Sequence, residues 1–223
     1  MKKHLIIGSP ISHSLSPRIH NYWFKENNID GDYIKNDIKE DEVGKIIQKI
    51  KTKEIYGMNV TVPYKQTVLP FLETKSEIAI KTNSVNTILN KNGKIHGDNT
   101  DVFGFEQSII KNKLDLKNKK VLIFGAGGVV PSIICGLINL NAGKIFITNR
   151  TLENAKKIKQ IFNFIEIIEW GKIENCDLYI NSKCFKIING RDMFIFQAQE
   201  AFKIWHNIRP KIDHKLIEYL YND

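Results

Sequence analysis

Lys120-Val121-Leu122-Ile123-Phe124-Gly125-Ala126-Gly127-Gly128 is the stretch on which the fold turns. An apolar run of this length reads as a buried strand, and the glycines directly after it open a turn. A helix comes next, with Pro131 tolerable because it falls in the first helical turn. Strand, glycine turn and helix together let backbone N–H groups cradle a pyrophosphate at a helix N-terminus. The glycine spacing is weak by itself, since Val130 stands where a third glycine would usually fall. The next strand strengthens it. Lys144 to Thr148 ends in Asn149-Arg150-Thr151, where an NAD-binding enzyme usually carries Asp or Glu. An arginine there can pair with the 2′-phosphate of NADP instead. The bland alternative is a helix-capping Asn or Thr beside a solvent-exposed Arg.

Upstream, the polar and lysine-rich residues 114 to 119 mark a boundary. Before it, strand and helix signals alternate. His4 to Gly8 is a short β-run, and Pro17 starts a helix in which Ile19, Tyr22, Trp23 and Phe24 recur at helical spacing, with Ser16 as its expected N-cap. Tyr33-Ile34 suggests a second strand, Val43 to Ile50 an amphipathic helix and Tyr56 to Val62 a third strand. This alternation argues for parallel strands with crossover helices. Residues 84 to 99 break it as a hairpin around Lys91-Asn92-Gly93-Lys94. The expectation is an α/β protein: an N-terminal mixed-sheet substrate domain over 1–105, a shortened Rossmann-like parallel-sheet cofactor domain over 106–190, and C-terminal helices over 191–223 that pack back on the first domain.

Composition narrows the function classes. At 223 residues, with 42% hydrophobic and 26% charged, the chain is an ordinary globular protein with room for two small cores. Its longest apolar runs fall far short of the ~20 residues of a membrane span, and no secretory signal is evident, so a cytoplasmic protein is expected. The net charge of +9 comes from lysines dispersed among acidic residues, which favours small anions over nucleic acid. Cys135, Cys176 and Cys184 show no metal-ligand spacing and read as buried free thiols. A homodimer is left open.

Four polar clusters lie at strand ends or loops: Ser14-Leu15-Ser16-Pro17, Asn59-Val60-Thr61-Val62-Pro63-Tyr64-Lys65, Asn83-Ser84-Val85-Asn86-Thr87 and Gly97-Asp98-Asn99-Thr100-Asp101. Each alone would more often be a cap or a turn; Asp101, for instance, suits the start of a helix over Val102 to Lys111. Together they offer the mixed donors and acceptors that a polyhydroxy acid needs.

At this point the chain closely resembles the shikimate dehydrogenase family. The resemblance rests on Gly8 to Pro17 with His20-Asn21, on Asn59 to Lys65, and on Gly97-x-Asn99-Thr100-Asp101 with Gly104-Phe105. It runs from residue 8 to about 151 and resumes from Gly190 to Trp205. It implies NADPH-dependent reduction of 3-dehydroshikimate to shikimate, in the pathway to aromatic amino acids. Carried over, Lys65 and Asp101 would be the catalytic pair, and Ser14, Ser16, Thr61, Asn86, Asp101 and Gln197 would hold substrate. Gly125, Ala126, Gly127, Gly128, Asn149, Arg150, Thr151 and Gly190 would hold NADP. The pair makes chemical sense on its own, because a ketone accepting hydride becomes an alkoxide that an oriented ammonium can protonate.

The resemblance breaks after Ser182. Lys183-Cys184-Phe185-Lys186 stands where a Thr-Ser-x-Gly turn is expected, and a later strand and helix are absent before Gly190. Those elements shape the nicotinamide half of the cofactor site. Asp192 replaces a second glycine, and Asn154 stands where a second basic residue is common. Two other readings therefore accompany the first: a truncated homologue that binds shikimate-like ligands or a partner but transfers hydride poorly, and a quinate dehydrogenase using NAD.

Overall fold

The computed structural model describes residues 1–181 and 190–221. It divides into two compact units, one formed by Met1–Ile80, Ser84–Thr100 and Ala198–Asp223, the other by Lys81–Asn83 and Asp101–Gln197.

In the first unit the elements run β1 (Lys2–Gly8), α1 (Ser16–Glu26), β2 (Gly31–Asp37), α2 (Val43–Lys51), β3 (Gly57–Val60), β4 (Thr74–Lys75), α3 (Glu77–Thr82, whose last two residues belong to the other unit), β5 (Thr87–Lys91) and β6 (Lys94–Asp98). The sheet order is β2-β1-β3-β5-β6-β4. β1 pairs in parallel with β2 and β3, whereas β3–β5 and β5–β6 are antiparallel. The sheet is therefore mixed, as expected, and the Asn92-Gly93 turn with both residues at positive φ closes the hairpin. The third strand is shorter than expected. It stops at Val60 because Thr61 to Val68 coil into successive turns, Tyr64 N–H bonding to Thr61 O and Val68 N–H to Tyr64 O.

β1 is buried on both faces, so its alternation sorts two cores. Leu5 and Ile7 join Val43, Ile47, Ile50 and Met58 beneath α2. His4 faces the other way, into a cluster of rings with Phe24, Tyr33, Tyr56, Trp205 and His206. His20 of α1 stacks on Tyr33 with centroids 4.4 Å apart. Burial lowers the His4 pKa to about 3, aided by the neighbouring His206; burial and then Lys2 lower His206 to about 4; burial and then His4 hold His20 well below its ordinary value. All three are depressed from 6.5, so the unfolded chain takes up these protons more readily than the folded one. Their contribution is complete above pH 6.5 and drains away as pH falls toward the folded values. His4 alone gives a slope of up to ~1.4 kcal/mol per pH unit. Urea unfolding should thus show stability falling between pH 6.5 and 5, above the main carboxylate range; a flat profile there would contradict the assignment of neutral buried imidazoles.

In the second unit α4 (Asp101–Lys111) leads to β7 (Val121–Phe124), α5 (Val130–Asn139), β8 (Ile145–Thr148), α6 (Leu152–Ile161), β9 (Glu166–Ile167), β10 (Leu178–Asn181) and the first part of α7 (Gly190–His206). The rest of α7 and α8 (His214–Tyr221) belong to the first unit. The strands are all parallel in the order β10-β7-β8-β9. The order reverses direction at β7–β10, the crevice where open α/β sheets bind ligands. Cys135 and Cys176 are buried free thiols. Cys184 and the departure after Ser182 lie outside the described residues.

Candidate active site

In the first unit, hydrogen bonds link residues of all four polar clusters, the first of them through Tyr33. Ser14 Oγ accepts the N–H of Ser16 at 3.2 Å. Ser16 is not the N-cap expected for α1; Leu15 holds that position without a side-chain bond, and Ser14 supplies the acceptor. The Ser16 hydroxyl instead bonds to the buried phenol of Tyr33. Tyr33 in turn donates to Asn59 Oδ1 at 2.7 Å. Asn59 Nδ2 donates to the Asn86 carbonyl and to Thr87 Oγ1. Asn86 Oδ1 then accepts the Thr100 N–H at 2.8 Å. Asn59 heads one of the expected polar clusters, whereas Tyr33 was not expected among the site residues. The burial of a tyrosine needing a partner was the available signal.

The loop with Thr61 and Lys65 is fixed from several sides. A Cβ on Gly8 would meet the Thr61 methyl at 2.5 Å, so only glycine lets these segments approach. Tyr64 is buried and its hydroxyl donates to Ile38 O at 2.6 Å. The Lys65 carbonyl accepts the Val85 N–H at 2.9 Å. The lysine stem is therefore presented from an anchored turn.

In the second unit Asp101 begins α4 and is 5% exposed. One turn on, Gly104 lies against α7, where a Cβ would meet Met193 O at 2.6 Å and Gln197 Cβ at 2.9 Å. The absent side chain seats Gln197 beside the helix that carries Asp101. Asp192, in place of a glycine, is offset by an ion pair with Lys111 at 2.7 Å.

The cofactor candidates occupy the C-terminal ends of β7 and β8. Gly125 has φ +105° and donates its N–H to Thr148 O. A Cβ on Gly127 or Gly128 would meet nothing within 4 Å, and neither has positive φ. Nothing within the described chain demands glycine there, which fits a ligand approaching the backbone closely. α5 starts just beyond with no side-chain cap; Val130 N–H bonds to Gly127 O and Pro131 has no N–H, so an anion would meet the amides of the glycine turn before the helix. Asn149 Nδ2 donates to Thr151 O at 2.7 Å, and Thr151 makes no cap bond to α6. The capping alternative is thus not what these residues do. Arg150 is exposed beside them, and the buried Thr148 hydroxyl has no partner among the described residues. The residues present fit a phosphate-bearing dinucleotide. Gly190, the remaining candidate, is the first residue of α7.

A family model for the shikimate dehydrogenase substrate binding domain matches residues 6–88, and one for shikimate / quinate 5-dehydrogenase matches residues 108–184. A protein of Pelagibacter ubique named shikimate dehydrogenase (NADP(+)) is 40% identical, the match covering 98% of each chain. The chain belongs to the shikimate dehydrogenase family. Shikimate dehydrogenase from Aquifex aeolicus has the same fold, with TM-score 0.85 and 27% identity over 100% of this chain and 98% of that one. The family member from Thermus thermophilus, solved with NADP(H) and shikimate, aligns with TM-score 0.88 at 22% identity over 100% and 99%. Within the family this member is short. The Pelagibacter match spans 261 aligned positions, which 223 residues can fill only with internal gaps.

Proposed function

We propose that the chain reduces 3-dehydroshikimate to shikimate with NADPH. The observation that carries the reading is near-full-length kinship to a protein named shikimate dehydrogenase (NADP(+)), 40% identical with 98% of each chain covered. Residues 1–105 would serve substrate and 106–190 cofactor, with the C-terminal helices completing the first domain. NADPH, when bound, supplies the hydride. Lys65 and Asp101 would be the catalytic pair, Lys65 giving its proton to the oxygen that becomes alkoxide. Ser14, Ser16, Thr61, Asn86 and Gln197 hold the ring substituents. Gly125 to Gly128, in the turn before α5, receive the pyrophosphate, Asn149 to Thr151 the adenosine ribose and its phosphate, and Gly190 the remaining contact.

Ser14→Ala and Ser16→Ala should each weaken shikimate binding by about 1–3 kcal/mol, as expected when a ligand hydrogen bond is left unmade. Ser16→Ala should also lower folding stability, because the buried Tyr33 phenol loses a partner. Calorimetric titration checks both, and wild-type affinity in both variants would place the substrate elsewhere.

The short chain, 223 residues against 261 aligned positions, favours one second reading, a homologue that binds these ligands but transfers hydride slowly. Quinate oxidation with NAD is a third, opposed by Arg150 and the Ser14–Ser16 pair. Incubating the protein with shikimate or quinate, and NADP⁺ or NAD⁺, while monitoring reduced-nicotinamide absorbance separates the three. Turnover only with shikimate and NADP⁺ supports the proposal, and no turnover in any combination favours the binding homologue.

A further inference from the structure

At the opposite end of β3 from the polar clusters lies a cleft of about 460 Å³, lined entirely by the first unit. Its apolar lining comes from Ile50, Ile55, Leu89 and Trp205. Leu89 pairs with Gly57 at the start of β3, whereas Thr87 pairs with Asn59 near its end. At ~3.3 Å per residue, the cleft and the candidate substrate residues Thr61 and Lys65 are separated by more than about 10 Å of strand. The cleft is a different place from the proposed active site.

Two features give it chemical character. Trp205 is held rigidly: its indole N–H donates to Ile88 O at 3.2 Å, and it lies so close to Gly57 that a Cβ there would meet it at 2.6 Å. The apolar lining is thus formed by a side chain that cannot collapse into the space. The rim carries Lys53, Asn90 and Asn92. Nearby carboxylates are already engaged, Glu73 with Lys51 at 2.6 Å and Glu54 with Lys49 at 4.0 Å. Among the described residues none pairs with Lys53, which is thus left as an uncompensated cation beside an apolar cleft. Lys53 also holds φ +63°, in the turn that closes α2, where glycine or asparagine is the ordinary choice.

We propose that this cleft binds a small monocarboxylic acid with a hydrophobic ring, the ring against Leu89 and Trp205 and the carboxylate toward Lys53. The Asn90 amide is used within the chain, by Ile50 O and the Gly93 N–H, so a single cation and the Asn92 amide remain, which suit one carboxylate rather than a phosphate chain; the volume suits a body of one or two rings.

The test titrates 1-naphthoate and its neutral counterpart 1-naphthalenemethanol into the full chain, monitored by amide and indole N–H NMR shifts. The expected result is saturable shifts at Leu89, Gly93 and the Trp205 indole, with millimolar or tighter dissociation of the acid. The alcohol should bind several-fold more weakly. Lys53→Gln, an exposed substitution that leaves the fold intact, should weaken the acid about three- to tenfold without affecting the alcohol. Leu89→Ala should weaken both. Equal affinity for acid and alcohol, no effect of Lys53→Gln, or shifts confined to residues outside the cleft would overturn the proposal.

Discussion

Lys65→Ala should lower turnover by about 10²–10⁴ while leaving shikimate affinity within about tenfold. The magnitude comes from the step assigned to the residue. Hydride delivery makes charge on one oxygen, and a positioned proton donor acts where that charge develops, in the transition state more than in the bound ground state. The structure adds a reason to expect loss of rate without loss of the site. Tyr64 and the Lys65 carbonyl anchor the turn through Ile38 O and Val85 N–H, bonds that survive removal of the side chain. Steady-state rates with substrate binding measured separately test this; unchanged turnover would remove Lys65 from the chemistry.

Arg150→Ala should cost roughly 10- to 150-fold in preference for NADP over NAD, the range of a charge-assisted bond of about 1.5–3 kcal/mol. The arginine is exposed, comes directly after β8 and its next residue, and sits beside an Asn149–Thr151 bond that fixes the loop. Exposure and the Asn154 position both pull the effect toward the lower figure, and added salt should shrink it further. Titrating each cofactor into wild type and variant without substrate measures it. Equal wild-type affinity for both cofactors, unchanged by the substitution, would defeat the assignment.

Most of the fold was legible because its signals are local. The glycine turn after Val121–Phe124, the Asn92-Gly93 hairpin and the amphipathic run from Val43 each declare themselves within a dozen residues. β4 and β9, of two residues each, carry no period to detect. The site was legible as residue types and less so as partners. Ser16 looked like a cap from sequence, but its hydroxyl goes to Tyr33, on a strand whose pairing with β1 is not visible locally. The replacement of a glycine by Asp192 looked like a defect until Lys111, 81 residues away, supplied its charge partner. Gly104 shows the same limit: its necessity comes from Gln197, a contact of long sequence separation.

The central claim is that this short member of the family still transfers hydride. Wild-type protein should be incubated with 3-dehydroshikimate and NADPH deuterated at the transferable C4 position, and the product analysed by mass spectrometry. The expected result is shikimate carrying the deuterium on the former carbonyl carbon, formed in many turnovers per protein. Unlabelled substrate recovered intact from a protein that demonstrably binds both ligands would contradict it.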